Sequence, residues 1–201
     1  MIAPYFPPMG VVGAKRALHL VRNLPAFGWD AVVLAADPTR DNQDASLADA
    51  LPSSVTVSYR YGAPFRRARG AAAGQGRPRP REKRVTLRGR DLPLVWPFDP
   101  YLVDAPWAGR EALRLVREHD ARAVHVCADP FSAFFVGMAV RRRTGLPLVL
   151  DLRDPWSLHP GRAAMRPWAT RAVIDWCERA ACQAWYPSRS TQRVSSSSSS
   201  A

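Results

Sequence analysis

The sequence predicts an α/β domain with a mostly parallel sheet, and two observations support that prediction. Short apolar runs, typical of strands covered on both faces, occur along the whole chain. Between them lie longer segments in which apolar residues recur at helical spacing. Alternation of this kind favours right-handed strand–helix–strand units. In sheets built from such units, ligands bind at the carboxyl ends of the strands.

The first unit combines a strand, a loop, a helix and a second strand. Residues 1–3 are expected to end a buried strand, which would be shorter than the usual four to eight residues and suggests a clipped start. A helix is predicted over residues 11–24, where apolar side chains recur every three or four positions. The apolar run at 31–36 predicts the next strand, covered on both faces.

The remaining elements follow the same logic. Alternating apolar residues predict a third strand at 55–61, after a polar stretch at 39–54 that is expected to contain a short helix. Beyond residue 107 the patterns predict helices at 108–118, 131–142 and 163–184 and strands at 123–127 and 148–152. The expected core positions of the last helix are Trp168, Ala172, Ile174 and Trp176.

The net charge of +12 is concentrated in one segment. Nine arginines and one lysine lie within residues 62–91, against two acidic residues. That segment has few large apolar residues, so we expect residues 63–91 to be a disordered basic insertion in a domain spanning 1–187. The concentration argues against nucleic acid as a partner and leaves peripheral contact with an anionic membrane open. Residues 188–201 form a low-complexity, serine-rich tail.

Several functional classes are disfavoured by what the sequence contains. Its three cysteines lack Cys-x-x-Cys spacing, so neither a zinc site nor a disulfide framework is expected. No two histidines have metal-ligand spacing, and His125, inside a predicted strand, is expected to be a core histidine. The sequence also has no signal peptide and no apolar run long enough to span a membrane, which predicts a cytoplasmic location.

The loop before the first helix is the first candidate site. Gly10 and Gly13 would permit close approach to the backbone and an unusual φ, and Lys15 and Arg16 follow them on the helix. Free N–H groups and the helix dipole at this position favour an anion. The alternative, judged equally plausible from patterning alone, is a tight turn into the helix.

Two further candidate sites follow predicted strands. Asp151 and Asp154 would fix the guanidinium of Arg153 and present it to a phosphate or a sugar hydroxyl; the alternative is a purely structural clamp. Asp129 and Ser132 lie after the strand at 123–127. Helix capping is the preferred interpretation for that pair, although either residue would also be placed to line a cleft.

Four motifs occur in order along the chain: APYFPPMGVVGAKR, LPAFGWDAVVLAA, ADPFSAFFVG and GLPLVLDLRDPW. Together they resemble the N-terminal domain of GT-B fold glycosyltransferases of the family 4 type, over about residues 2–184 with a gap across the basic segment. These enzymes are retaining and use a nucleotide sugar, which is a substrate and not a cofactor. The resemblance implies a doubly wound, Rossmann-like domain that binds a glycan or lipid-linked acceptor. It also implies that Gly10 and Gly13 face the donor diphosphate.

The resemblance places Arg153 where many relatives carry a histidine, and it makes Arg153 and Asp154 the catalytic candidates. Donor binding in such enzymes involves a second domain with a Glu-x7-Glu motif, and none of the four glutamates here has that spacing. We therefore expect the acceptor-side domain of a glycosyltransferase, truncated and inactive alone, with a C-terminal GT-B domain as a partner in trans. The alternative is a non-catalytic module recruited to anionic lipid or nucleic acid by its arginine-rich segment. A dinucleotide-dependent oxidoreductase is disfavoured because Gly-x-Gly-x-x-Gly is missing.

Overall fold

The computed structural model describes residues 1–38, 43–62, 85–87, 90–92, 100–127, 130–152, 172 and 175–179. Strands and helices alternate in it, which confirms the predicted α/β class. In chain order the named elements are α1 (Val12–Asn23), β1 (Val32–Leu34), α2 (Ala45–Asp49), β2 (Thr56–Ser58), β3 (Val85–Leu87), β4 (Arg90–Leu92), α3 (Ala105–Glu118), β5 (Val124–Cys127), α4 (Ala133–Thr144) and β6 (Leu148–Asp151).

The N-terminal residues join two pairs of parallel strands. β1 pairs with β2, and β5 pairs with β6. Ile2 lies between the two pairs and forms parallel bridges to Leu34 of β1 and Val126 of β5. Its N–H donates to the carbonyl of His125 over 2.7 Å, and its own carbonyl accepts from the N–H of Cys127 over 3.0 Å. The resulting order is β2, β1, residues 1–3, β5, β6.

Helices cover both faces of these strands, because the strand residues are apolar on both sides. On one face α3 and α4 pack on the side chains of Ile2, Leu34, Val126 and Leu148. On the other face α1 buries Ala17, Leu18 and Val21 against Ala3, Val33 and Ala35. The period-2 alternation of the strand side chains therefore separates the core into two layers.

Close packing of α4 depends on Gly137. A Cβ atom at this position would lie 2.5 Å from Cγ2 of Val126 and 3.2 Å from Cδ1 of Leu148. The missing side chain lets the helix backbone approach β5 and β6. The helix ends at Gly145, whose φ of 72° is in the left-handed region that glycine adopts without strain.

The helices and strands predicted between residues 11 and 152 are confirmed to within three residues at each end, and the largest differences are at the start of α3 and the end of β2. Helix α3 begins at Ala105 instead of residue 108, and Pro106 occupies its first turn. A proline there is preorganised for the helix, because its fixed φ is helical and its missing N–H needs no partner.

The predicted disorder of residues 63–91 is wrong for part of that segment. β3 and β4 form an antiparallel ladder in which Leu87 pairs with Arg90. The sequence signal was local: β-favouring residues at 85–87 are followed by a two-residue connection that contains Gly89, which is typical of a hairpin. Residues 63–84 and 88–89 lie outside the described residues.

The C-terminal part of the structure corrects two predicted core positions. Residues 172 and 175–179 are helical, as predicted, but Ala172 is exposed and Trp176 is 70% exposed. Cys177 is the residue that enters the core on the α3 and α4 side. Neighbouring helical residues differ in direction by about 100°, so the inward orientation of Cys177 turns Trp176 away. Trp168, Ile174 and the tail at 188–201 lie outside the described residues.

Within the described part of the chain, no helix is long and apolar enough to cross a membrane.

Candidate functional site

The candidate site lies where α1 begins, at the carboxyl edge of the strands. Val11, the residue before the helix, is extended, with φ −110° and ψ 153°. No side chain caps this helix end, and its first turn contains no acidic residue. Among the described residues, the N–H groups of Val12 and Gly13 have no hydrogen-bond acceptor. The start of α1 therefore presents free donors together with the positive end of the helix dipole.

The loop that leads into α1 is held in place from two sides. Phe6 is completely buried beneath it. The hydroxyl of Tyr59 donates to the carbonyl of Pro7 over 2.5 Å, and the N–H of Asp44 donates to the carbonyl of Pro8 over 2.7 Å. Burial raises the pKa of Tyr59, so this phenol remains a donor at neutral pH. The helix start is thus a preorganised feature of the fold.

The two loop glycines adopt ordinary backbone conformations. Among the described glycines, a positive φ occurs at Gly28 and Gly145 and not at Gly10 or Gly13, so the unusual φ that glycine permits is not used there. Gly10 is exposed, and Gly13 lies in the first turn of α1. A Cβ at Gly13 would meet Cδ2 of Tyr5 at 3.4 Å, an ordinary van der Waals contact. The fold does not require glycine at position 13. Because glycine has no side chain, however, the free N–H groups stay accessible.

An ion pair connects α1 to the carboxyl end of β6. Arg16 donates from Nε to one carboxylate oxygen of Asp151 over 2.8 Å and from Nη2 to the other over 2.5 Å. The hydrogen bonds to this carboxylate raise the pKa of Arg16. The pair uses two of the five guanidinium donors, and the Arg16 side chain remains 55% exposed. Asp151 therefore orients Arg16 while leaving donors available for an anion.

Two neutral groups lie near this ion pair. Cys127 pairs with Asp151 in the β5–β6 register, and its Sγ is 3.9 Å from Nδ1 of His125. Burial raises the pKa of Cys127 to about 12, and burial lowers the pKa of His125. At neutral pH the thiol is protonated and the imidazole is uncharged, so this pair is a poor source of a thiolate nucleophile. His125 is half-buried, whereas the sequence predicted a core histidine.

The structure brings five of the predicted site residues to one edge: Gly10, Gly13, Lys15, Arg16 and Asp151. Ser132 takes the N-cap position of α4, but its side chain forms no capping hydrogen bond, and the residue is completely buried. Asp129, Arg153 and Asp154 lie outside the described residues, so the predicted Arg153 clamp stays a prediction. The described residues contain no cluster of three or more His, Cys, Asp or Glu side chains that could hold a metal.

Sequence reasoning missed the partnership of Arg16 with Asp151, which are 135 positions apart. It assigned Asp151 to the nearby Arg153 instead. The available signal was topological, because the start of a helix and the end of a parallel strand meet at the same edge of a sheet. A basic residue near the start of α1 and an acidic residue at the end of β6 satisfy that condition.

Comparison with known proteins agrees with the order of the sequence motifs. A family model described as a glycosyl transferase 4-like domain matches residues 13–185, which is most of the chain and includes every element from the first turn of α1 to β6. No curated protein and no solved structure matched the chain. The match begins at Gly13, in the first turn of α1, and includes Arg16 and Asp151. The chain therefore belongs to the glycosyl transferase 4-like domain family.

Proposed function

We propose that this chain is the acceptor-side domain of a nucleotide-sugar-dependent, retaining glycosyltransferase with a GT-B architecture. Family membership supports a role in sugar transfer, with a sugar donor and an acceptor as substrates. The strand order, with residues 1–3 between β1 and β5 and helices on both faces, supports a doubly wound, Rossmann-like domain. The observation that carries the proposal is the uncapped start of α1 beside Arg16.

The chemistry of this edge suits a nucleoside diphosphate leaving group. Negative charge grows on the diphosphate as the glycosidic bond to the donor breaks. Preorganised N–H donors and cationic side chains stabilise such charge most when they are already in place. Val12 and Gly13 would supply the N–H groups, and Lys15 and Arg16 would supply positive charge. Asp151 would act as a positioning residue for Arg16.

The residues that follow β6 remain proposed contributors to catalysis. In the sequence, Arg153 and Asp154 follow Asp151, the last residue of β6, by two and three positions, and we propose that they act at the same edge as Arg16. Asp129 and Ser132 are proposed as acceptor contacts. The proposal is weaker for Ser132, because this residue is completely buried. A glycan or a lipid-linked sugar is the proposed acceptor. The second domain, with its Glu-x7-Glu motif, would complete the donor site in trans.

A binding measurement tests the anion site on the full chain. Inorganic pyrophosphate and a set of nucleoside diphosphates would be titrated calorimetrically against the native protein and against Arg16→Gln. Loss of a charge-assisted hydrogen bond is expected to weaken binding roughly tenfold. Arg22→Gln, in the last turn of the same helix, is the matched control and is expected to bind like the native protein. Equal affinities for all three proteins would contradict the assignment.

A turnover measurement tests the proposed incompleteness. Sugar transfer and donor hydrolysis would be measured with the chain alone and after addition of a separately expressed donor-binding domain from a family member. We expect turnover in the mixture and little or none with the chain alone, since the leaving group requires donors from both domains. Robust transfer by the isolated chain would overturn this part of the proposal.

A further inference from the structure

The loop before α1 contains two prolines that are held through their carbonyl groups. Proline has no N–H, so Pro7 and Pro8 cannot donate backbone hydrogen bonds. The carbonyl of Pro7 accepts from the hydroxyl of Tyr59 over 2.5 Å. The carbonyl of Pro8 accepts from the backbone N–H of Asp44 over 2.7 Å. Of these two bonds, the one from Tyr59 is made by a side chain, so a substitution can remove it and leave the backbone intact.

Tyr59 belongs to the α1 side of the sheet. It is the residue after Ser58, where β2 ends, and its ring packs against the buried cluster that α1 covers. Val55 and Val57 contact the same cluster at alternate positions, as expected along a strand. The phenol therefore reaches from β2 to the loop that follows residues 1–3, although β1 lies between these two strands in the sheet. This contact is 52 positions apart in the sequence.

The hydrogen bond from Tyr59 holds the chain just before the proposed anion site. Pro7 lies in the loop that ends at Val12, the first residue of α1. Within that loop Met9 is completely buried and forms an antiparallel bridge to Gln43. A loop fixed at Pro7 and at Met9 enters the helix in one direction, so the free N–H groups at the start of α1 keep one orientation. Donors that are already oriented stabilise a charge better than donors that binding must first order.

We propose that Tyr59 is a positioning residue for the diphosphate site at the start of α1, and that it acts through its hydrogen bond to the carbonyl of Pro7. This inference rests on the proposed function, because it requires the start of α1 to bind a diphosphate. Without the hydroxyl, the N–H groups would be correctly oriented in a smaller fraction of the molecules, and the apparent affinity would fall by that fraction. The site then has two separate supports: Tyr59 for the N–H groups and Asp151 for Arg16.

Calorimetric titration of the full chain with inorganic pyrophosphate tests this role in Tyr59→Phe. The phenylalanine keeps an aromatic ring in the apolar cluster and removes only the donor. We expect the affinity to fall about fivefold, the factor that corresponds to the loss of one neutral hydrogen bond. The matched control is Ser58→Ala, at the neighbouring residue, whose hydroxyl donates to Glu111 of α3 over 2.7 Å. This variant also loses one hydroxyl hydrogen bond, but on the other face of the sheet, and should bind pyrophosphate like the native protein.

A purely structural role of Tyr59 predicts a different result. Both variants would then lower the midpoint of urea denaturation, and neither would change the affinity for pyrophosphate. Native affinity in Tyr59→Phe would therefore overturn the positioning role. Equal losses of affinity in Tyr59→Phe and Ser58→Ala would overturn it as well, because the effect would not depend on the loop.

Combined variants show through which donors Tyr59 acts. In the Gly13→Ala background, where a methyl group obstructs the N–H groups, Tyr59→Phe should weaken pyrophosphate binding by less than about twofold more. In the Arg16→Gln background it should still cause the loss of about fivefold, because Asp151 holds Arg16 independently from β6. The reverse pattern would contradict an action through the N–H groups.

The same titrations separate this inference from the proposed function. Native affinity in both single variants, Gly13→Ala and Arg16→Gln, would refute the anion site and the role of Tyr59 with it. Weaker binding in those two variants together with native affinity in Tyr59→Phe would overturn the role of Tyr59 alone.

Discussion

The two faces of the sheet differ in what their side chains do. On the α3 and α4 face, only 1% of the surface of Phe134, Val136 and Val140 is exposed. Gly137 lets the helix backbone approach β5. On the α1 face the apolar contacts stop short of β6. There the Arg16–Asp151 ion pair lies near His125, and Val149 is 48% exposed.

This difference assigns separate tasks to the two faces. Apolar packing over the whole α3 and α4 face stabilises the fold, as does the packing of α1 on Ala3, Val33 and Ala35, since each buried methylene contributes to the free energy of unfolding. The α1 face carries exposed charges and free N–H groups, which contribute little to stability and are available to a ligand. The same type of substitution should therefore cost stability on one face and ligand binding on the other.

The largest change in the free energy of unfolding is expected for Gly137→Ala. Its new methyl group would lie 2.5 Å from Cγ2 of Val126, so α4 or the strands must shift. Overpacking of this kind destabilises by about 1–3 kcal/mol. Urea denaturation would measure it as a lower midpoint at unchanged slope.

Gly109→Ala is the control for that change, because Gly109 lies inside α3 and none of the described residues has an atom within 4 Å of the position of a Cβ. Alanine there should stabilise the helix by up to about 1 kcal/mol. If Gly137→Ala and Gly109→Ala were equally stable, the close contact of α4 with Val126 would not restrict the side chain at position 137. The dense packing inferred for the α3 and α4 face would then be contradicted.

A smaller effect is expected from the polar network at the β2 edge. Glu111 of α3 accepts hydrogen bonds from Arg114 at 2.6 and 3.0 Å and from the Ser58 hydroxyl at 2.7 Å. The bonds from Arg114, above all, hold the pKa of Glu111 below its ordinary value of 4.5. A carboxyl group with a lowered pKa in the folded state stabilises the fold above its unfolded pKa, and that stabilisation is lost as the pH falls through the folded value.

Glu111→Gln should therefore be less stable than the native protein at neutral pH, by about 1 kcal/mol because Arg114 is partly exposed. The difference in the free energy of unfolding should shrink as the pH falls below 4.5. Chemical denaturation of both proteins across that range would measure it. A difference that is constant with pH would mean that the charge of Glu111 has no part in the network.

Local sequence patterns predicted the individual elements well, and long-range contacts poorly. Periodicity located α1, α4 and β5 because each has an apolar face that one core layer must bury. Two residues inside the predicted C-terminal helix at 163–184 show the limit of local patterns. Trp176 and Cys177 are adjacent, and hydrophobicity alone favoured the tryptophan for the core, yet packing against α4 selected the smaller cysteine.

In the candidate site, too, the individual residues were predicted and the long-range contact was not. Gly10, Gly13, Lys15, Arg16 and Asp151 were found in sequence because loops at strand ends carry polar residues. The pairing of Arg16 with Asp151 was not found, because it depends on how α1 crosses the strands and no local pattern encodes that crossing. Gly10 and Gly13 permit an unusual φ, but the structure does not use it. Glycine serves there as a residue without a side chain and not as a left-handed turn.

A double-mutant cycle on Arg16 and Asp151 would sharpen the comparison further. The Arg16 side chain is 55% exposed, so water and salt screen the ion pair despite its two short hydrogen bonds. We expect a coupling energy of about 0.5 kcal/mol from urea denaturation of Arg16→Gln, Asp151→Asn and the double variant. A coupling of about 2 kcal/mol or more would place this pair among the main stabilising contacts and would contradict the division of tasks between the faces.

Gly13→Ala is expected to change stability little, whereas the proposed function predicts a clear effect of this variant on binding. The added Cβ meets Tyr5 at an ordinary 3.4 Å, and alanine favours the helix, so the free energy of unfolding should change by less than about 1 kcal/mol. The same methyl group would stand beside the free N–H groups of α1 and obstruct a diphosphate. Denaturation and pyrophosphate titration on this one variant therefore separate the two tasks. A loss of stability like that of Gly137→Ala would make the loop a structural turn, and retention of both stability and affinity would remove the start of α1 as the anion site.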